Sequence, residues 1–167
     1  MTSLFDPSIL TPFLPLDLPQ GYKLRPLELT DYSKGYLELL SQLTVVGDIN
    51  ESAFKKRFDS MKNTDPLTYY IIVMEDEETG KVVASTTLVL EWKFIHEAGS
   101  RGRIEDVVVD QNARGKNLAK YMLDVLVELG RSLNAYKLSL ECDPNLEKFY
   151  GRVGFKKDGG YFMVQKF

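Results

Sequence analysis

The sequence contains very few of the residues that form disulfides and metal centres. Its 167 residues include one cysteine, Cys142, and one histidine, His96. A single cysteine excludes an internal disulfide and is typical of a reducing compartment. One cysteine and one histidine leave no plausible zinc site, so we expect no metal. Because Cys142 lies in a strand-like stretch, the sequence predicts a buried, inert thiol rather than a nucleophile.

Long apolar runs and long basic runs are also missing. No apolar run reaches the roughly 18 residues that a membrane-spanning helix needs, so we expect no membrane span. The first residues carry neither a basic region nor a long apolar core, so we expect no secretory signal and a cytoplasmic location. The net charge is −3. The one basic cluster, residues 55–57, fits the solvated face of a helix, so we expect no nucleic acid partner.

The remaining composition is typical of a folded domain. Hydrophobic residues make up 44% of the chain and aromatic residues 11%, which favours a packed core over disorder. The first twenty residues are rich in proline, which excludes an α-helix there. We predict a proline-rich N-terminal arm over residues 1–20, packed on the domain or on a second subunit. Residues 21–167 are predicted to form a single domain.

Hydrophobic periodicity and turn signals divide this domain into strands and helices. The predicted strands cover residues 22–25, 69–74, 82–90, 103–109, 137–142 and 161–166. The predicted helices cover residues 31–44, 50–62, 118–133 and 146–153, with Thr30, Asn50 or Ser52, and Asp143 as candidate caps. A hairpin therefore precedes alternating helices and strands, which predicts a mixed α/β domain.

One stretch, residues 104–124, combines a strand, a loop and a helix in an informative order. Its strand is apolar and β-branched, as expected for a strand covered on both faces. The loop, residues 111–117, carries two cations, Arg114 and Lys116, and Gly115 just before a helix that begins near Leu118. Helix-start N–H groups, the helix dipole and these cations form an anion site. Glu105 and Asp106 lie within one strand length of this anion site. A site for a pyrophosphate beside two acids predicts an enzyme that uses a cofactor.

Two motifs carry a resemblance to a known family. The pattern R-G-x-x-[LI]-[GA] is present at residues 114–119, and F-Y-x-x-x-G-F is present at residues 149–155. With the order of elements, these motifs resemble the GNAT acetyltransferases. The resemblance implies a GNAT acyl-CoA N-acyltransferase fold, with a central mixed, mostly antiparallel sheet flanked by helices. Further segments are similar to the glucosamine-6-phosphate N-acetyltransferase branch of that family: residues 43–47, 93–97, 104–107 and 136–142.

This resemblance implies an enzyme of amino-sugar metabolism. It would transfer the acetyl group of acetyl-CoA directly, in a ternary complex, to the 2-amino group of D-glucosamine 6-phosphate. The products would be N-acetyl-D-glucosamine 6-phosphate and coenzyme A. The resemblance also implies a homodimer whose sugar pocket lies at the subunit boundary, with residues 136–137 of one subunit reaching the other.

The resemblance assigns roles to individual residues. Tyr150 is the expected general acid, since a phenol is protonated at neutral pH and can donate to the leaving thiolate. Glu105, Asp106 and Glu141 are candidate groups to accept the amine proton or orient the amine, and the sequence does not choose among them. Expected cofactor contacts are Val107, Val108, Val109, Arg114, Gly115, Lys116, Asn117, Leu118, Ala119, Asn145 and Tyr150. Expected contacts of the sugar phosphate are Thr44, Lys93, Phe94, Ile95, His96, Glu105, Asp106, Val107, Tyr136, Lys137 and Lys166.

Three positions depart from the family pattern. Asn117 stands where many relatives carry glycine, and asparagine tolerates the left-handed backbone geometry that the loop needs. Asn145 lies one position before the family's cofactor-contacting asparagine, whose place Leu146 takes. Lys166 stands where many relatives carry arginine, so the positive charge is kept but the planar fork is lost.

Two alternatives remain from the sequence. The first is a GNAT enzyme for another small amine, such as a polyamine, or for a protein N-terminus. A polyamine needs an acidic groove, whereas a sugar phosphate needs a group of cations. The second is a non-catalytic acyl-CoA-binding domain, against which Tyr150 and the Glu105–Asp106 pair argue. For each acid, the simpler interpretation is a side chain that faces solvent on alternate strand positions.

Overall fold

The protein is described here by a computed structural model covering residues 2–167. Its centre is a five-stranded sheet in the order β1-β2-β3-β4-β5. The strands are β1 (Tyr22–Pro26), β2 (Tyr69–Asp76), β3 (Lys81–Trp92), β4 (Ser100–Val109) and β5 (Ala135–Ser139). Neighbouring strands are antiparallel except β4 and β5, which are parallel. The prediction of a mixed, mostly antiparallel sheet is therefore confirmed.

Four helices lie between these strands along the described chain, and a fifth follows β5. They are α1 (Tyr36–Ser41), α2 (Glu51–Lys62), α3 (Ile95–Ala98), α4 (Leu118–Ser132) and α5 (Glu147–Gly151). Asn50 caps α2 as predicted, because its side chain accepts a hydrogen bond from the amide of Ala53. Within residues 2–167 no helix is both long and apolar enough to cross a membrane.

Helix α4 packs on the sheet through an apolar stripe. Leu118, Met122, Leu126 and Leu129 recur at helical spacing and are fully buried. Next to this stripe, Leu138 of β5 fills the space left by two glycines. A Cβ atom on Gly102 would lie 2.2 Å from the Leu138 side chain, and one on Gly130 would lie 2.8 Å away. The two glycines therefore let β5 approach β4 and α4 closely.

The pairing of β4 with β5 stops midway along β4. It runs from Ser100 opposite Ala135 to Arg103 opposite Ser139. Strand β4 continues to Val109, still paired with β3 on its other side. From Ile104 onward, its backbone groups on the β5 side have no strand partner in the described chain. The sheet therefore opens at this point.

A buried ion-pair network holds the first part of the chain together. Arg25 on β1 donates to both carboxylate oxygens of Asp31, at 2.8 and 2.7 Å, and also pairs with Glu75 on β2. Asp31 is fully buried, and its carboxylate accepts from the amide of Glu28 at 2.8 Å. Each buried charge is thus compensated by an opposite charge and hydrogen bonds.

The first predicted helix has different bounds in the structure. The helix predicted over residues 31–44 is a 3-10 helix, Leu29–Lys34, followed by α1, because Gly35 adopts a left-handed φ of 84° between them. The predicted cap Thr30 is wrong, since Glu28 and Asp31 form a capping box instead.

The end of the chain also differs from expectation. The predicted strand over residues 161–166 is wrong, since this segment has no strand partner and its apolar side chains are exposed. Strand β5 ends at Ser139 rather than at Cys142, because β4 and β5 part there. The prediction of a buried Cys142 is therefore also wrong, and the thiol is exposed.

The proline-rich arm packs on the domain. Leu4, Phe5 and Leu10 are almost completely buried and belong to the core. The amide of Leu4 donates to the carbonyl of Leu27 at 2.8 Å. The arm is not fully extended, because it contains two short 3-10 turns, Pro7–Ile9 and Thr11–Phe13. The structure therefore shows the arm packed on its own domain, which is one of the two predicted positions.

The network at Arg25 generates a stability prediction. Replacing Asp31 by alanine leaves a buried guanidinium short of a partner and removes a capping bond, so the free energy of unfolding should fall by about 3 kcal/mol. Urea denaturation measures this change. The control is Asp124→Ala, which removes the exposed pair between Lys120 and Asp124 and should cost less than about 1 kcal/mol. Equal losses in the two variants would contradict the assigned role of the network.

Candidate active site

A bulge in β4 shapes the site where the sheet opens. Glu105 lies opposite Thr87 of β3 and Val108 lies opposite Ser85, so two residues of β4 face one residue of β3. Asp106, inside the bulge, has a positive φ of 52°. The extra residue shifts the alternation of side chains, so that Asp106 emerges at the surface beside Glu105.

Both carboxylates line a cavity of about 360 Å³ between the sheet and the first two helices. The other walls are mainly apolar and include Tyr36, Leu40 and Phe54. Partial burial, and to a lesser extent the charge of Glu105, raise the pKa of Asp106. Burial raises the pKa of Tyr36 to about 12, so this phenol is neutral.

The three predicted acids differ in their partners. Arg103 donates from Nε to Oε1 of Glu105 at 2.8 Å and from Nη2 to Oε1 of Glu141 at 2.8 Å. Within residues 2–167 the carboxylate of Asp106 has no such cation. The structure therefore places Glu105 and Asp106 on one cavity, links Glu105 to Glu141 through Arg103, and leaves Asp106 without an ion-pair partner among the described residues. Sequence reasoning missed Arg103, although its spacing of two from Glu105 on one strand places both on one face.

The predicted anion loop connects β4 to α4. Gly115 and Asn117 both have left-handed φ values, 84° and 59°, which glycine and asparagine tolerate. Arg114 donates from Nε to the carbonyl of Val109 at 3.3 Å. No side chain caps the start of α4 at Asn117, so its first N–H groups are available to an anion. The loop shape expected from the sequence is present.

Gln42, at the end of α1, braces the same loop. Its side-chain amide donates to Oδ2 of Asp110 at 2.7 Å, and its Oε1 accepts from the amide of Gln111 at 3.0 Å. Asp110 in turn caps the short 3-10 turn, Gln111–Ala113, that starts the loop. Because Gln42 is far from the loop in sequence, no local pattern could have identified it.

Tyr150 is held rigidly on α5. Its ring is buried and meets Phe149 and Phe155 edge to face, with centroids 5.0 and 6.4 Å away. Burial, with a contribution from nearby Cys142, raises the pKa of Tyr150, so the phenol keeps its proton at neutral pH. Asn145 lies at the surface in the 3-10 turn Pro144–Leu146 just before α5.

The predicted phosphate-binding residues fall into two groups. In the first, the His96 ring stacks on Tyr136 of β5 with centroids 4.0 Å apart. Lys93 lies on the same β3–β4 connection and pairs with Glu91 at 2.7 Å. Lys137 is exposed on β5, and Phe94 and Ile95 are exposed beside His96.

The second group is separate from these residues in the single chain. Thr44 is exposed in the segment between α1 and α2, and Lys166 is exposed in the C-terminal segment. Among residues 2–167 no side-chain hydrogen bond or ion pair joins either residue to the group around His96. The contacts of the described residues therefore link only part of the predicted phosphate site directly.

An open sheet edge, a helix-start anion loop and a buried tyrosine together define an acyltransferase of the acyl-CoA type. A family model described as the acetyltransferase (GNAT) family matches residues 28–155. The chain belongs to the GNAT family of acetyltransferases.

Two named proteins and one crystal structure are similar to this chain. A Drosophila melanogaster protein named "Probable glucosamine 6-phosphate N-acetyltransferase" is 40% identical over 168 residues, which cover 92% of this chain and 76% of that protein. A glucosamine 6-phosphate N-acetyltransferase of Candida albicans is 40% identical over 150 residues, covering 90% and 99%. The crystal structure of the Arabidopsis thaliana enzyme of that name superposes with a TM-score of 0.84 at 36% identity, covering 87% of this chain and 98% of the other.

The loop geometry generates a prediction about cofactor binding. Gly115→Ala places a Cβ at a φ of 84°, so the loop must strain or relax, and the dissociation constant for coenzyme A should rise about tenfold. Isothermal titration calorimetry measures this change. Gly159→Ala, at an open position without a left-handed φ, is the matched control and should bind as the wild type does. Unchanged affinity in Gly115→Ala would exclude this loop from the cofactor site.

Proposed function

We propose that this chain transfers the acetyl group of acetyl-CoA to the 2-amino group of D-glucosamine 6-phosphate. The products are N-acetyl-D-glucosamine 6-phosphate and coenzyme A. The observation that supports the proposal is the opening between β4 and β5: unpaired backbone groups and the carboxylate of Asp106 lie on β4, and the anion loop follows at the end of that strand. The relatives with this activity in their names, about 40% identical over most of the chain, support the choice of acceptor.

The open edge of β4 suits the acetyl donor. Backbone N–H groups of Val107 to Val109 on the β5 side can donate to the thioester carbonyl, whose oxygen becomes negative during transfer. The loop at residues 114–119 then holds the pyrophosphate through its own amides and the start of α4. The donor thus takes the place that a neighbouring strand would occupy.

Asp106 is the base that the geometry favours. Glu105 and Glu141 each share Arg103, and an ion-paired carboxylate is a weak proton acceptor. Asp106 has no cation partner in the described chain, and its pKa is raised, which strengthens it as an acceptor. It accepts the amine proton, directly or through water, and the amine nitrogen attacks the thioester carbon.

Tyr150 completes the transfer. As the C–N bond forms, the C–S bond breaks and the sulfur leaves with the electron pair. The phenol of Tyr150, kept protonated by burial, donates its proton to that sulfur. Direct transfer in a ternary complex needs no acyl-enzyme, and no histidine pairs with Cys142 to activate a nucleophile.

The acceptor's phosphate is a near-dianion and needs several cations. The groups proposed to bind this phosphate are the side chains of Lys93, His96, Lys137 and Lys166 and the hydroxyl of Thr44.

We propose that two chains form a homodimer, because a second chain can bring together the group around His96 and the group of Thr44 and Lys166. Five large apolar residues of the exposed C-terminal segment support this assembly: Tyr161, Phe162, Met163, Val164 and Phe167. We also propose a cytoplasmic location and a role in amino-sugar nucleotide synthesis.

Steady-state acetylation of three acceptors tests the function. With acetyl-CoA held constant, we expect kcat/KM for glucosamine 6-phosphate to exceed that for glucosamine and for spermidine by at least tenfold, since only the first carries a phosphate. Thiol release follows the reaction. Preferred acetylation of spermidine would favour the polyamine alternative, and no turnover of any acceptor would favour a non-catalytic acyl-CoA-binding domain.

Tyr150→Phe tests the proposed acid. The variant keeps the aromatic packing but loses the proton, so kcat should fall about 100-fold or more while the dissociation constant of acetyl-CoA changes little. Phe149→Tyr, which leaves the acid in place, is a control for changes in local packing. Unchanged turnover in Tyr150→Phe would remove Tyr150 from proton transfer.

The base is tested by titration. Carbon-13 NMR of the carboxyl carbon should give Asp106 a pKa above the ordinary aspartate value, because burial and Glu105 both disfavour the charged form. Glu105→Gln removes the like charge, so the pKa of Asp106 should then fall. Asp106→Asn should lower kcat by about 100-fold or more. A low pKa for Asp106, or a rise in Glu105→Gln, would contradict the environment described for this base.

A further inference from the structure

Arg103 occupies the position where the sheet opens. It is the last residue of β4 paired with β5, opposite Ser139. Its side chain is 29% exposed, so it lies in the wall of the cleft rather than in the core. It forms ion pairs with Glu105 and Glu141.

The guanidinium of Arg103 joins the two sides of the opening. Nε donates to Glu105 on β4, and Nη2 donates to Glu141, two residues beyond the end of β5, each at 2.8 Å. The carboxylates of Glu141 and Glu105 in turn raise the pKa of Arg103. Without this cation, two like charges would face each other across the cleft and repel.

A third carboxylate extends the same chain of charges. Oε1 of Glu91 lies 3.9 Å from Nε of Arg103, and its Oε2 pairs with Lys93 at 2.7 Å. Lys93 is a proposed phosphate ligand, whereas Glu105 and Glu141 face the proposed amine. The row of charges therefore runs from the phosphate end of the acceptor site to its amine end.

The neighbouring arginine provides a contrast on the same strand face. Arg101 also has β5 beside it, but its Nη2 donates only to the neutral hydroxyl of Ser139, at 2.9 Å. Arg101 and Arg103 are both on β4 and are two residues apart, so their side chains lie on the same face of the sheet. Both side chains are arginines. Only Arg103 contacts the carboxylates of the cleft.

We propose that Arg103 is a positioning residue that fixes the spacing of Glu105 and Glu141 across the opening and thereby sets the site for the acceptor amine. This inference rests on the proposed function. Arg103 acts through the two carboxylates and does not contact the reacting atoms. Because its fork bonds two carboxylates in different directions, lysine cannot reproduce the arrangement.

The test compares Arg103→Met with Arg101→Met, because Arg101 donates to Ser139 and forms no ion pair with Glu105 or Glu141 in the described chain. For Arg103→Met we expect KM for glucosamine 6-phosphate to rise at least tenfold and kcat to fall, while the dissociation constant of coenzyme A stays within twofold of the wild type. Arg101→Met should change both steady-state constants less than threefold. Arg103→Lys should recover only part of the lost activity.

Two further measurements separate positioning from a general effect on folding. Guanidinium at millimolar concentration should restore activity to Arg103→Ala several-fold and leave the wild type unchanged. In a chain that already carries Glu105→Gln and Glu141→Gln, adding Arg103→Met should cost less than threefold, because the groups through which Arg103 acts are neutral.

The outcomes are distinct. A wild type that does not acetylate glucosamine 6-phosphate overturns the proposed function and this role with it. An active wild type in which Arg103→Met loses no more than Arg101→Met overturns the role of Arg103 alone. Loss of coenzyme A affinity in Arg103→Met, or no rescue of Arg103→Ala by guanidinium, assigns Arg103 to the fold and also overturns the proposal.

Discussion

The parting of β4 from β5 is the constraint on which the rest of the site depends. Leu138 anchors the paired end of the two strands, because Gly102 and Gly130 leave room for it. Past that anchor, β4 keeps its pairing with β3 and loses its pairing with β5. The backbone groups left unpaired along this edge are available to a ligand that supplies hydrogen bonds there.

The other parts of the site are arranged around this edge. The bulge at Asp106 changes the alternation of β4 and sends a carboxylate toward the cleft. The loop at the end of β4 reverses the chain through Gly115 and Asn117, and Gln42 fastens it to α1. The proposed hydrogen-bond donors and the proposed proton acceptor are therefore carried by one strand and the turn that follows it.

The sequence predicted those parts whose signal is local. The β-branched run of β4, the loop at residues 114–119 and the start of α4 follow from periodicity, glycine and helix-start chemistry. The tolerance of asparagine for a left-handed φ was sufficient to predict the geometry at Asn117. The proposed roles of the three acids and of Tyr150 come from the family motifs. Composition and spacing alone did not assign these roles.

The parts that were missed depend on contacts between distant residues. Gln42 meets Asp110 only after the sheet has formed, and the break at Gly35 resembles an ordinary helical position in the sequence. The C-terminal segment has an apolar pattern typical of a strand, but a strand forms only where it pairs with another strand, and within the described chain this segment pairs with none. Arg103 was missed because one of its two partners, Glu141, is far from it in sequence and lies just beyond the end of β5.

Hydrogen–deuterium exchange with and without acetyl-CoA tests the central claim most directly. The account predicts that amides of β4 beyond Arg103, together with those at the start of α4, exchange more slowly when acetyl-CoA is bound. Amides of β1, on the opposite edge of the sheet, should not change. Protection confined to β1, or no protection along residues 104–109, would contradict the claim that the open edge of β4 receives the donor.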